Sequence, residues 1–303
     1  MFLISAAVLL SAATLLAHDF WLVPNAFIVG SGGTLEVRGQ TSSRFPASVA
    51  AVALGRIASA RVVDAAGETQ IRDLSHAGNS LLLRHRPATP GQKIVAVRLH
   101  PTSVRESAAG FRNYLVVEGA PDALQRYERQ GKMPIDSITR RYAKYAKTLV
   151  EAGANGPRAF AKPVGHPLEF VPLADPAALI AGDSVAVRLL FVGHPLPGLR
   201  VHASGVPAEA EMDAEAAAAD GPAMDAVTDA DGVVRFPVAR AGLWNVRTLH
   251  IVPAALGSGA DWDTHWASLV FNVDAAEAGS AASDSAAVVA TTSERYLDPS
   301  GPR

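Results

Sequence analysis

Across residues 31–118 short apolar runs alternate with turn residues. "GTLEVRG", "SARVVDAAGE", "NSLLLRHRP", "QKIVAVRLHP" and "FRNYLVVEG" each read as a strand of about five to seven residues, bounded by Gly and Pro. "SVAAVALGRI", around Val49 to Ile57, is ambiguous between helix and strand. Strands at roughly ten-residue spacing predict an antiparallel immunoglobulin-type sandwich over residues 18–120. The pattern then changes. Within residues 121–163, Ile138, Tyr142, Tyr145 and Leu149 fall at i, i+4, i+7 and i+11, the spacing of one helix face. Asp136 or Ser137 caps that predicted helix and Gly153 ends it. The helix serves as a connector. Tyr142 and Tyr145 pack it on a sandwich (a carbohydrate-stacking surface is the alternative use), and Arg140, Arg141, Lys144 and Lys147 form its solvated side.

The strand pattern returns over residues 164–273, in "HPLEFVPL", "DSVAVRLLFVG", "GLRVHAS", "GLWNVRTLHIVP" and "HWASLVFNV". "TDADGVVRFPV" followed by "AGLWNVRT" has the hairpin rhythm of transthyretin-like sandwiches, with Asp and Gly making the tight turn. The expected fold class is therefore all-β: two immunoglobulin/transthyretin-like antiparallel β-sandwich domains joined by a short helical connector. "VPAEAEMDAEAAAADGPAM" reads as a mobile acidic loop, and the Ala/Ser-rich residues 274–303 as a disordered tail.

Residues 2–17 are unbroken apolar or small residues, too few to span a bilayer. They fit a secretory signal peptide, residues 1–17, with a cut after Ala17. A cut after Ala13, or an uncleaved anchor, is the alternative. Cleavage places the mature chain in the periplasm with no membrane span. At 303 residues and 49% hydrophobic content the chain has room for two modest domains with buried cores. A net charge of −2 without a long basic run argues against nucleic acid or an acidic membrane as partner. The absence of cysteine removes disulfides, thiolate metal sites and cysteine nucleophiles. HExxH, P-loop and GxSxG motifs are also missing, so the chain reads as a non-enzyme.

The candidate chemistry sits at the leader junction, "TLLAHDFWLVP". A cut after Ala17 makes His18 the first residue. Its α-amine and imidazole Nδ1 can then close a chelate ring on one metal ion, because the amine's pKa near ~8 lets it deprotonate when a cation binds. Asp19 adds an acceptor or orients a ring. Phe20 and Trp21 resist exposure and would hold the terminus on the core. Further ligands are sought in "VRTLHIVPAALGSGADWDTHWASLVF". His250 and His265 can approach each other across an antiparallel pair, with Asp261 and Asp263 in the connecting loop. His76, His85, His100, His194 and His202 form no constellation and read as surface or turn residues.

"AHDFWLVP", "RRYAKYAKTLV", "TDADGVVRFPVARAGLWNVRTLHIVP" and "ADWDTHWASLVF", in that order, resemble domain-of-unknown-function family 4198. That family comprises bacterial periplasmic proteins grouped with the periplasmic components of nickel and cobalt uptake systems. The resemblance implies divalent-metal binding outside the inner membrane, and only His18 carries over by position.

The sequence-level expectation is thus a periplasmic protein that binds a divalent transition metal, nickel or cobalt with copper or zinc as alternatives, and supports its uptake or buffering. His18, His250, His265, Asp19 and Asp263 are its expected ligands. The metal ion and an inner-membrane metal transporter are its expected partners. One rival is a non-catalytic sandwich module that binds protein or glycan without metal. Another is a copper enzyme with an N-terminal histidine brace.

Overall fold

The computed structural model describes residues 18–129, 136–207 and 223–275. The predicted signal peptide, most of the acidic loop and all but the first two residues of the predicted tail lie outside the described residues.

The N-terminal half runs β1 (Asp19–Pro24), β2 (Ile28–Val29), β3 (Leu35–Ser42), β4 (Ile57–Val63) and β5 (Glu68–Gln70). β6 (Asp73–Ala77), β7 (Ser80–His85), β8 (Gly91–Leu99) and β9 (Thr102–Ser107) follow. Two helices come next, α1 (Ala108–Val117) and α2 (Pro121–Arg129), and then a 16-residue strand, β10 (Ser137–Ala152). The C-terminal half holds β11 (Leu168–Pro172), β12 (Ser184–Phe191), β13 (His194–Pro195) and β14 (Arg200–Val206). It closes with β15 (Met224–Val227), β16 (Val233–Pro237), β17 (Gly242–Pro253) and β18 (Trp262–Val273). Between β15 and β16 the "TDADG" turn forms as its residues dictate: Asp229 Oδ1 accepts from the Asp231 and Val233 amides at 3.0 and 2.8 Å, and Gly232 takes φ 71°.

The protein is all-β, built as two sandwiches that share a sheet. One long sheet runs β15-β14-β17-β18-β10-β8-β4-β5 and so draws strands from both halves of the chain. The sheet β1-β3-β7-β6 covers one part of it, and the sheet of β11, β12, β13 and β16 covers another. β10 is the join, antiparallel to β8 and parallel to β18. Its two faces feed different cores. Ala146 and Val150 belong to the core under β1, β3 and β7, whereas Ala143, Tyr145 and Leu149 belong to the core under β11, β12 and β16.

Here the helical connector needs correction. Ile138, Tyr142, Tyr145 and Leu149 do not share a helix face; they stand on a strand, Ile138 and Tyr142 on one face, Tyr145 and Leu149 on the other. A central strand buried on both faces is apolar at nearly every step, so a helical subset can always be picked from it. The supposed solvated side is corrected too. Arg140, Lys144 and Lys147 are only 2–4% exposed. Helix occurs earlier, where "FRNYLVVEG" reads as a strand. Ser107 caps α1 by accepting from the Gly110 amide at 3.0 Å, and Phe111 and Leu115 bury one face. The two helices pack through Phe111 and Tyr127 onto Trp262 of β18, with Ile138 and Ile251 beside it. No helix among the described residues is long and apolar enough to cross a membrane.

Candidate functional site

All six side chains of β1, "DFWLVP", are buried. β1 pairs with β3 and lies across β10 and β18. Trp21, 1% exposed, donates its indole N–H to the Pro46 carbonyl at 3.3 Å and meets Phe45 edge-on at 5.4 Å. Ser268 Oγ donates to the Phe20 carbonyl at 2.7 Å, and the Lys144 ammonium donates to the His18 carbonyl. The aromatic pair therefore seats the chain at His18 on the shared sheet.

Charged groups crowd this seat. Asp19 is buried and meets Arg247 of β17 at 3.1 Å. Burial pushes its carboxyl upward, against the pull of Arg247 and Lys144. Lys144, buried near several guanidinium groups, has its ammonium pushed down to about 8, mainly by desolvation. Glu118, just past α1, is pushed up to about 7 by burial and then by the charge of Asp19. The His18 imidazole is lowered by burial and by Lys144, so it rests neutral, and its Nδ1 is buried with no hydrogen-bond partner. His202, expected at the surface, is half-buried in β14, where its Nδ1 meets Asp225 at 2.5 Å.

His250 and His265 are brought together as the sequence anticipates. They are directly opposed in the β17–β18 ladder. They are not brought to His18. Lys144, Trp266 and Leu249 are in register across β10, β18 and β17 and point to the β1 side. Ala143, His265 and His250 are the next step along each strand, so they point to the opposite face. There Phe191 of β12 packs edge-on against His250 at 4.7 Å and His265 at 5.2 Å. Asp263 shares this face but is held by Arg141 through two hydrogen bonds of 2.7 and 2.8 Å. Asp261 accepts from the Thr139 amide at 2.7 Å. The five expected ligands thus form two groups on opposite faces of one sheet. Among the described residues no three His, Asp or Glu side chains stand together as a ready-made metal cage.

Sequence reasoning missed Lys144, Glu118 and Arg247 beside His18, because they lie far away in the chain and only the sheet register assembles them. It also missed His166. This ring is 3% exposed, packs on Tyr145 at 5.5 Å, and leaves both nitrogens buried without a partner. Desolvation, then the charges of Lys147, Arg61 and Arg98, push it down to about 3. The folded state therefore keeps His166 neutral, while an unfolded histidine takes a proton near pH 6.5. Its contribution to stability is complete above pH 6.5 and is lost as pH falls toward 3. Urea titrations should give a total loss of about 2 kcal/mol from this ring between pH 7 and 5, steepening to about 1.4 kcal/mol per pH unit below pH 6. His166→Phe should reduce that slope, and an unchanged slope would refute the assignment.

The architecture defines the class: an all-β protein of two sandwiches fused through one shared sheet, with a buried, charged strand end. More particularly, the chain belongs to the DUF4198 family, a domain of unknown function, whose profile matches residues 15–252. Among solved structures it is similar to the D0-D1 domain of intimin, at 10% identity over 82% of this chain and 96% of that one, with a TM-score of 0.20. The Escherichia coli adhesin FdeC matches at 17% identity, covering 86% of this chain and 64% of its own, with a TM-score of 0.23. Mouse nectin-like molecule 4 matches at 13% identity over 86% and 65%, with a TM-score of 0.19. No curated protein matches the chain.

Proposed function

We propose that the protein is an exported, periplasmic binding protein that holds a divalent transition-metal ion, nickel or cobalt, through a mature N-terminal His18, and buffers it or passes it to an inner-membrane transporter. One observation carries the reading: Nδ1 of His18 is buried without a hydrogen-bond partner at the head of a strand whose every side chain is buried. An orphaned acceptor in such a place costs free energy, and a cation would relieve it. Cleavage after Ala17 adds the α-amine as a second nitrogen on the same residue. Neutral imidazole and free amine together suit borderline-soft ions such as nickel, cobalt, copper and zinc. Asp19, the next residue, is the nearest carboxylate, and Arg247 already holds it at 3.1 Å. His250 and His265 are not part of this set, because they lie across the sheet.

The test compares the mature protein beginning at His18 with a variant carrying one alanine ahead of it. The extra peptide bond removes the amine and leaves the fold untouched. Calorimetric titration with nickel should show the extended form binding about 100-fold or more weaker, a difference of roughly 2.7 kcal/mol. Equal affinity in the two forms would sink the reading.

A further inference from the structure

We propose that His250 and His265 form a second, independent cation site that holds one divalent ion between two imidazoles on the face of the shared sheet opposite His18. The register makes them direct cross-strand partners. Such partners have Cβ atoms about 4.5–5.5 Å apart, close enough for two rings to converge on one point. A zinc-type ion with bonds of about 2.0–2.1 Å requires its nitrogens only about 3–4 Å apart.

The surroundings suit ligands rather than ordinary packing residues. Tyr145 fixes His265, with its hydroxyl 3.1 Å from Nδ1. When Nδ1–H donates to the Tyr145 oxygen, Nε2 keeps its lone pair free, the tautomer a metal requires. The tyrosine ring also lies nearly parallel to His265, at 15° and 6.0 Å, so the imidazole plane is constrained from two directions. His250 has no hydrogen-bond partner among the described residues. Phe191 packs edge-on against both rings and shields them from one side. Asp263 does not join the pair, because Arg141 occupies both its oxygens.

An ion also has a way in. His250 lines a cavity of about 380 Å³ between the α1–α2 corner and the free edge of β17, with Asp122 and Arg126 on its wall. β14 pairs with β17 only as far as Arg247, so the edge beyond it carries no strand and opens onto this cavity. Water from the cavity would fill the remaining coordination positions. The ligand class is a borderline-soft divalent ion, zinc or copper before magnesium or calcium, because the donors are nitrogen only.

The test uses the full mature protein and zinc chloride alone. Side-chain imidazole resonances assigned by long-range ¹H–¹⁵N correlation should show His250 and His265 moving together on zinc addition. Calorimetry should show zinc binding at this pair about tenfold or more weaker in His250→Gln/His265→Gln, and also weaker in Tyr145→Phe. Running the same titration on the alanine-extended protein separates the two sites: extension should abolish the His18 response and leave the His250/His265 response intact. If only the His18 resonances move at about 1 mM zinc, the second site is overturned and the N-terminal one stands. If neither His18 nor the His250/His265 rings move, the second site is overturned, and the nickel titration decides the first. The wild-type spectra decide the matter even where a variant folds poorly.

Discussion

Glu169→Ala should lower stability by about 3–5 kcal/mol, the largest loss expected from any single charged residue here. Lys147 and Glu169 meet at 2.8 Å with side chains 3% and 2% exposed. Burial lowers the Lys147 ammonium, and Glu169 opposes that fall. The carboxylate also accepts from the Val164 and Gly165 amides, both at 2.9 Å. Removing it strands a buried ammonium and the buried Val164 amide at once, each of which is costly without a partner, and the partly buried Gly165 amide loses its acceptor too. In a protein of this size such a loss corresponds to a fall in Tm of roughly 10 °C. Replacing both residues, as Lys147→Met/Glu169→Met, should cost less, because no unpaired charge is left at this position and only the amide acceptor is lost. A double-mutant cycle by urea denaturation reads both numbers, and a Glu169→Ala loss under about 1 kcal/mol would contradict the argument.

The second large effect is Trp262→Ala. Trp262 is 1% exposed and anchors the small core beneath the two helices, touching Phe111 at 5.4 Å and Tyr127 at 6.3 Å. Truncating such a ring costs about 3–5 kcal/mol through lost burial and the cavity left behind. The loss should be local as well as global. Amides of α1 and α2 should exchange far faster, while those of β3, β7 and β8 keep their protection. Hydrogen exchange with mass spectrometry checks this, and uniform acceleration across the chain would show that the helices are not a separate satellite.

Much of the fold was legible from residue alternation. "GTLEVRG" and "DSVAVRLLFVG" became β3 and β12 because a half-buried strand must alternate. The opposition of His250 and His265 was legible for the same reason: one hairpin-like connection joins two strands of matching length. β10 was not legible. Its buried lysines look like a solvated stripe until their partners are known, and those partners, Glu169 and the His18 carbonyl, are 22 and 126 residues away. The candidate site was half legible. "AHDFW" announces an anchored histidine, but which face His250 shares depends on register, and one step of register moves a side chain to the other side of the sheet.

β10 gives the chain an unusual inheritance. A protein of two separable sandwiches can lose one, duplicate one or trade one with a neighbour. Here the strand that roofs the first core is the floor of the second, so a break on either side of it would leave one half without a wall. The two lobes must therefore have been kept, and must be made, as a single piece.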